Sequence, residues 1–388
     1  MKKKFASRIG AQSNVHWLTV HKLIAAKQAE GVDVIQLSSG NPDTPTPRAI
    51  VETMREAVLD PTYHRYPFSF RTDLNQAIAS WYQNRFGVTL NPQNEIYPLA
   101  GSQMALGNLG LAIMEPGTTA VMTDPAYGSY ERATKFAGGD CHILPISAAG
   151  GYLPDLNAIP TDVLAKTRLI WLNYPNNPTG AIAPLSFFEE VVAFAKKHDI
   201  IVCHDNAYSE ILFDGYVAPS FLAVEGAKEV GVEVNTMSKA FNMAGWRVGM
   251  VVGNAEVLAA MGQVQRNTSM GLFGPVQLAA IEALTGDQGW LAERNQMYQE
   301  RRDIVVAGLK AAGFEVESPK ATLYVWAKLP PGHTDSLAFS KWLLDKAGVW
   351  ISAGSFFGSG GKEYVRATLT VPTERLKIAM ERLKQLDL

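Results

Sequence analysis

The sequence predicts an α/β protein: a three-layer αβα unit around a largely parallel sheet, followed by a smaller α+β region. Three observations carry this. Short apolar runs alternate with amphipathic helical segments through the middle of the chain, and the informative polar residues fall where those runs end. That edge is where open α/β sheets bind ligands. The chain has 388 residues, 47% of them hydrophobic, which is enough for one large core and a second smaller one.

The elements follow in order. Residues 17–31 set apolar and small side chains at helical spacing with lysines between, and residues 34–37 lead as a short strand into the proline-stiffened loop 38–47. Amphipathic helices are predicted over 73–86 and, after the Gly101-Ser102 turn, over 103–114; that turn leaves free backbone N–H groups at a helix entrance. Strands are predicted at 119–122, 168–172, 200–203 and 232–235, with helices over 129–136, 185–198 and 220–228 between them. Beyond Gly286, a long charged helix at 291–311, a strand within 321–331, a helix at 335–347, the segment 349–361, a strand at 364–370 and a last helix at 373–386 make up the α+β region. No internal repeat or low-complexity tract is visible.

Composition narrows the function classes. Basic and acidic residues number 35 and 37, a formal net charge of -2, so no global field draws nucleic acid or an anionic membrane. Partners must be sought at a local site. Cys141 and Cys203 form no CxxC or ligand spacing and read as small buried hydrophobes in a reducing compartment, so no metal site is expected. The basic start Met1-Lys-Lys-Lys lacks a following apolar segment, so a cytoplasmic location is expected. Residues 270–284 include two glycines, a proline and a glutamate, and read as a packed helix with its entry loop rather than a membrane span.

The most informative stretch is Asn235-Thr-Met-Ser-Lys-Ala-Phe-Asn-Met-Ala-Gly-Trp-Arg247. It places Lys239 at a strand exit with a guanidinium and hydroxyls close by. Such an amine suits a Schiff base with a carbonyl carbon once desolvation or neighbouring positive charge keeps part of it unprotonated. Arg247 and Thr236 suit a phosphate. Taken alone, the segment also admits a solvated loop lysine and a salt-bridged arginine.

Five separated signatures occur in one order: Gly40-Asn-Pro-Asp-Thr-Pro-Thr-Pro47, Asp124-Pro-Ala-Tyr127, Asn177-Pro-Thr-Gly180, Asp205-Asn-Ala-Tyr208 and Ser238-Lys-Ala-Phe-Asn-Met-Ala-Gly-Trp-Arg247. A sixth, Val365-Arg366, follows a glycine-rich loop. Together they resemble the fold-type I pyridoxal-phosphate aminotransferases of class I/II over nearly the whole chain. The resemblance implies a mostly parallel seven-stranded sheet in a large cofactor-binding domain, residues 45–286. Residues 1–44 would then join a small C-terminal domain, residues 287–388.

The same resemblance implies pyridoxal 5'-phosphate as cofactor. Lys239 becomes the Schiff-base residue and the group that moves a proton between substrate Cα and cofactor, and an amine on four methylenes has the reach for that shift. Asp205 pairs with the protonated pyridine nitrogen, Asn177 and Tyr208 meet the ring oxygen, and Tyr127 stacks on the ring. Ser102, Gln103, Thr236 and Arg247 hold the phosphate, with Ser238 assisting. Tyr66 reaches the phosphate of a partner subunit, which implies a homodimer with shared sites; family members often carry a glycine several residues beyond this tyrosine, where Phe68-Ser-Phe stands here. Arg366 grips the substrate α-carboxylate through its planar fork, with the Gly40 backbone and Asn177 alongside. Read without the family pattern, Asp205 is also a helix N-cap, Asn177 a turn residue, Tyr127 ordinary packing and Arg366 a solvated strand arginine.

The implied activity is ping-pong transfer of an amino group from an L-amino acid to a 2-oxo acid such as 2-oxoglutarate (EC 2.6.1.-). The sequence looks closest to the aspartate, alanine and LL-diaminopimelate branches, with aspartate or diaminopimelate as first choice of donor and alanine next. Arg8, Arg65, Arg71 and Arg266 all stay open as the partner of a distal carboxylate. A cystathionine-type C–S lyase is the nearest alternative on the same fold. A DNA-binding regulator is the remote one, and the balanced charge argues against it.

Overall fold

A computed structural model of the chain describes residues 6–10, 15–67, 71–269 and 271–386. Among these residues the strands run in chain order as β1 (Ile35–Leu37), β2 (Ile96–Leu99), β3 (Thr119–Asp124), β4 (Asp140–Pro145), β5 (Thr167–Asn173), β6 (Ile201–Asp205), β7 (Gly231–Thr236), β8 (Gly249–Gly253), β9 (Glu315–Val316), β10 (Tyr324–Lys328), β11 (Val349–Ala353) and β12 (Tyr364–Thr368). Seven of them form a sheet in the order β2-β8-β7-β6-β5-β3-β4, and five form another in the order β1-β11-β12-β10-β9. In the larger sheet the strands from β7 to β4 are parallel, and β8 lies antiparallel between β7 and β2. Helices cover both of its faces, which makes this a three-layer α/β unit of the kind the apolar runs predict.

Local chemistry explains the elements that place the site. Every residue of β7 is buried, as a strand roofed on both faces requires. The helix Leu185–His198 buries Phe187, Phe188, Val191, Val192 and Ala195 along one stripe. It ends at Asp199 in the left-handed region, φ 53°, with Lys196, Lys197 and His198 set in its negative end. The helix expected over 220–228 is instead two pieces, a 3₁₀ turn Phe221–Ala223 and a short helix Ala227–Val230. Gly226 at φ 78° separates them, a conformation no continuous helix contains. The predicted entry loop of the helix Gly274–Thr285 begins at Met270, which lies outside the described residues, as do Phe68, Ser69 and Phe70.

Beneath the strand ends sits one buried carboxylate. Glu233 on β7 accepts hydrogen bonds from Tyr82 Oη (3.0 Å), Ser220 Oγ (2.9 Å), the Phe221 backbone N–H (3.0 Å) and Asn206 Nδ2 (3.2 Å), and it pairs with His204 Nδ1 at 2.9 Å. A carboxyl group excluded from water needs such a full shell. The result ties β6, β7 and the helix Thr72–Phe86 into one body directly below the residues that follow them.

The 22-residue helix Trp290–Ala311 packs on β9 and β10 of the smaller sheet and reaches, at its start, the loops that follow β6 and β7. At its near end the buried Arg294 donates to the carbonyls of Lys239 (3.3 Å), Glu210 (2.6 Å) and Ala240, and its guanidinium lies 5.1 Å from the Trp290 ring. Two turns on, Arg301 grips Asp43 (2.8 and 3.0 Å) and the Leu369 carbonyl (3.1 Å), and Arg302 holds Asp214. No helix among the described residues is long and apolar enough to cross a membrane, and no cluster of His, Cys, Asp and Glu among them is placed to hold a metal ion. Cys141 and Cys203 are unpaired thiols, and burial pushes both upward in pKa, Cys141 to about 11.

Candidate active site

A cavity of about 650 Å³ opens where β5, β6 and β7 end, closed from the other side by the loop after β1 and by β10, β11 and β12. Its lining brings together Gly40, Ser102, Gln103, Tyr127, Asn177, Asp205, Tyr208, Thr236, Ser238, Lys239, Arg247 and Arg366. Tyr66 is the one residue of the sequence-derived set that does not line it; 71% of its surface is exposed.

Asp205 is the last residue of β6. Strand alternation sends its neighbour His204 down to Glu233 and turns Asp205 up into the cavity. Its Oδ2 accepts from Tyr130 Oη at 2.9 Å, and its Oδ1 is buried without a partner. Burial raises this carboxyl to about 6, against the pull of the Tyr130 hydrogen bond. Tyr130 itself is fixed by stacking on Trp171, 5.6 Å between ring centroids.

Lys239 sits in the short helix Met237–Ala240, which Thr236 caps by accepting from the Ser238 N–H at 3.2 Å. The helix begins as β7 ends, so the lysine projects from the sheet edge, and its Nζ donates to the Gly40 carbonyl. Burial lowers the amine pKa, and the charges of Arg366 and Arg247 lower it further. Tyr324 packs into the same corner. Its hydroxyl accepts from Tyr208 Oη at 3.1 Å, and although burial alone raises a phenol, Arg366 and Lys239 hold Tyr324 below its ordinary value.

Arg366 is a buried arginine of β12, not a solvated one. Its guanidinium lies 3.9 Å from the Tyr324 ring centroid and 4.5 Å from that of Phe357. Nη1 donates to Asn177 Oδ1 at 2.7 Å and Nη2 to the Ser38 carbonyl at 2.8 Å, while Nε is buried with no partner. Asn177 therefore orients the arginine with its side chain. Its own backbone is fixed by Asn173, whose Oδ1 accepts from the Asn177 N–H at 2.8 Å and whose Nδ2 reaches the Asp205 carbonyl at 2.7 Å.

At the far end the helix Ser102–Ile113 points its N-terminus at the cavity. Gly101 precedes it at φ 91°, and a Cβ there would stand 2.6 Å from Arg247 Nη2. Glycine is what lets the guanidinium approach the helix entrance. Arg247 Nη1 donates to the Ala244 carbonyl at 2.7 Å. Gln103 Oε1 accepts from Ser129 Oγ (2.7 Å) and Tyr127 Oη (3.2 Å).

The donor set fits pyridoxal phosphate. An orphaned carboxylate oxygen matches a cationic ring N–H, a depressed amine matches an aldehyde, and a helix N-terminus with an arginine matches a phosphate dianion.

Several residues escaped the sequence reading: Tyr130, Arg132, Asn173, Tyr324, Trp350, Phe356 and Phe357 all line the cavity. The available signal was position. Tyr130 and Arg132 occupy the first turn of the helix that follows Tyr127, and Asn173 ends its strand as Asp205 does. None of Arg8, Arg65, Arg71 and Arg266 lines the cavity of its own chain; Arg71, for instance, is taken up by Asp73 and Tyr63.

Known proteins resemble the chain over nearly its whole length. Residues 32–383 match the family model described as aminotransferase class I and II. The chain is 47% identical over 371 residues to the LL-diaminopimelate aminotransferase of Moorella thermoacetica, covering 94% of each chain. It is 48% identical over 369 residues to that of Syntrophobacter fumaroxidans, covering 95% of each. Among solved structures it is similar to apo-BacF from Bacillus subtilis, with a TM-score of 0.95, 38% identity, and coverage of 100% of this chain and 99% of the other.

Proposed function

Because the chain belongs to the class I and II aminotransferases, pyridoxal-phosphate enzymes that act on amino and 2-oxo acids, we propose that its donor is LL-diaminopimelate and its acceptor a 2-oxo acid such as 2-oxoglutarate. The observation that carries the choice of donor is the near-full-length likeness to two enzymes bearing that name.

When bound, the cofactor supplies an aldehyde for the substrate amine and a ring that takes up the electron pair left at Cα. In this reading the chain's residues do the rest. Lys239, whose amine pKa is lowered by burial and by Arg366 and Arg247, would move the proton from substrate Cα to the former aldehyde carbon of the cofactor. Asp205 offers Oδ1 to the ring nitrogen and keeps it protonated. Asn177 and Tyr208 stand at the ring oxygen and Tyr127 against the ring face. Ser102, Gln103, Thr236, Ser238 and Arg247 hold the phosphate. Arg366 takes the α-carboxylate, pre-aimed by Asn177 and the Ser38 carbonyl and sandwiched by two aromatic rings. The Gly40 backbone lies beside it.

The proposal extends to a homodimer in which Tyr66 serves the partner's phosphate; its exposure in the single chain supports this. Division into a segment 1–44, a large unit 45–286 and a small unit 287–388 is likewise proposed, supported by β1 joining the sheet of β9 to β12.

Half-reactions test the donor. The purified yellow protein is mixed with LL-diaminopimelate, aspartate, alanine or cystathionine, and conversion of the cofactor from aldehyde to amine is followed spectrally. LL-diaminopimelate is expected to react at least about 10-fold faster than the others, a difference of ~1.4 kcal/mol. A faster reaction with aspartate or alanine replaces the donor, and pyruvate released from cystathionine without added oxo acid replaces the reaction class.

A further inference from the structure

Two features singled out in the sequence have no task in the reading above: Asp124, which opens the Asp124-Pro-Ala-Tyr127 signature, and the glycine-rich loop that precedes Arg366. In the structure they meet.

Asp124 is the last residue of β3, an interior strand of the larger sheet, and its carbonyl accepts from the Ile146 N–H at 3.0 Å. Its side chain reaches across to residues 354–361, which join β11 to β12 in the smaller sheet. Oδ2 accepts from the Ser359 N–H at 2.9 Å and from Ser359 Oγ at 2.7 Å, and Oδ1 from the Gly360 N–H at 3.0 Å. Hydrogen bonds to a carboxylate are stronger than neutral ones, and three converge here. Gly358 has a φ of 129°, and a Cβ on it would run into Asp124 Oδ1, so the approach requires glycine. A further bond, from the Ala126 N–H to the Phe357 carbonyl at 2.8 Å, stitches the same two segments together beside the cavity.

Phe357 is what this clasp seats. Its ring lies 4.5 Å from the Arg366 guanidinium and meets Trp326 edge to face, 6.0 Å between ring centroids. An aromatic cover keeps water from a buried cation, and the attraction of that cation for a carboxylate is stronger as a result.

Resting on the reading of Arg366 as the α-carboxylate site, we infer that Asp124 is a positioning residue for the substrate: by clasping the glycine-rich loop it seats Phe357 on Arg366 and so sets how tightly that arginine grips a carboxylate. Asp124 does not line the cavity and acts through the loop.

The test uses Asp124→Ala, Asp124→Asn, Phe357→Leu and the double variant Asp124→Ala with Phe357→Leu as cofactor-loaded protein, with Arg366→Lys as reference. Steady-state kinetics use the donor that reacts fastest in the half-reactions. Asp124→Ala is expected to raise its KM about 10-fold and to change kcat by less than about 2-fold, since binding rather than chemistry is lost. Asp124→Asn keeps one acceptor oxygen and should fall between; if Asp124→Ala does not fold, it takes that variant's place in each comparison. Because Asp124 acts through Phe357, the KM of the double variant should lie within about 2-fold of that of Phe357→Leu alone. In the cofactor-free protein, hydrogen exchange over residues 354–361 should quicken about 10-fold or more with Asp124→Ala. Unchanged exchange, a loss confined to kcat, additive effects of the two substitutions, or weakened cofactor binding each overturn the inference. An unchanged KM in Arg366→Lys removes the reading of Arg366 and the inference with it. A raised KM in Arg366→Lys beside an unchanged one in Asp124→Ala overturns the inference alone.

Discussion

The Tyr130 hydroxyl donates to Asp205 Oδ2 at 2.9 Å, leaving Oδ1 buried and, among the described residues, unpartnered. One oxygen is thus pinned and the other presented. That donor is the largest of the influences that oppose burial at this carboxyl. Tyr130→Phe is therefore expected to raise the Asp205 pKa further, to move the acid limb of the kcat/KM profile to higher pH and to slow turnover about 10-fold, in line with one charge-assisted hydrogen bond. An acid limb that stays in place would show that Tyr130 does not govern this carboxyl.

The cofactor-free protein should also record Asp205 in its stability. The carboxyl is moved from its ordinary 3.8 to about 6, so between these values the folded chain holds a proton the unfolded chain has lost. Stability from this group is present below the lower value and lost as pH rises through the upper one. The loss amounts to about 3 kcal/mol. Denaturant unfolding of wild type and Asp205→Asn between about pH 4 and pH 7 isolates it. A difference between the two proteins that does not vary with pH contradicts the prediction.

Arg366→Lys retains the charge but gives up the fork that meets Asn177 and the Ser38 carbonyl. Substrate KM is expected to rise about 30-fold or more, with a smaller change in kcat, because uniform binding is what is removed. Steady-state kinetics with the preferred donor checks it.

Gly101→Ala puts a methyl group 2.6 Å from Arg247 Nη2 at a backbone φ of 91°. Titration of the cofactor-free variant with pyridoxal phosphate should show affinity weakened by about 10-fold or more. Gly107→Ala is the control, since a Cβ there meets nothing within 4 Å in the same helix. Equal affinity of the two variants would remove the phosphate role from this corner.

The proposed shared sites predict complementation. Lys239→Ala and Tyr66→Ala chains, each nearly inactive alone, give on random mixing hybrids with one site free of both lesions. Activity of about one quarter of wild type should appear after subunit exchange. No recovery, in a mixture shown by mass to contain hybrids, excludes the crossing of Tyr66.

Much of the fold was legible because its signals are local. Asp205, Asn177 and Lys239 follow apolar runs closely enough that strand ends and motifs coincide in the sequence. The strand β4 was not legible: it is an edge strand with mixed burial and lacks a continuous apolar run. The residues that tune the site were missed for another reason. Tyr130 lies 75 positions from Asp205, Tyr324 lies 116 from Tyr208, and only the closed topology brings each pair together. Arg132 reads in sequence as one charge on an amphipathic helix, and its facing is set by how that helix docks.

The helix Trp290–Ala311 has a mechanical consequence. Arg294 fastens it to the carbonyls of Lys239 and of the next residue, Ala240, while Arg301 and Arg302 bind it further along to Asp43 and Asp214. Arg301 also donates to the Leu369 carbonyl, three residues past Arg366. One rod thus braces the backbone that carries the amine and the strand that carries the guanidinium, and fixes the spacing between them.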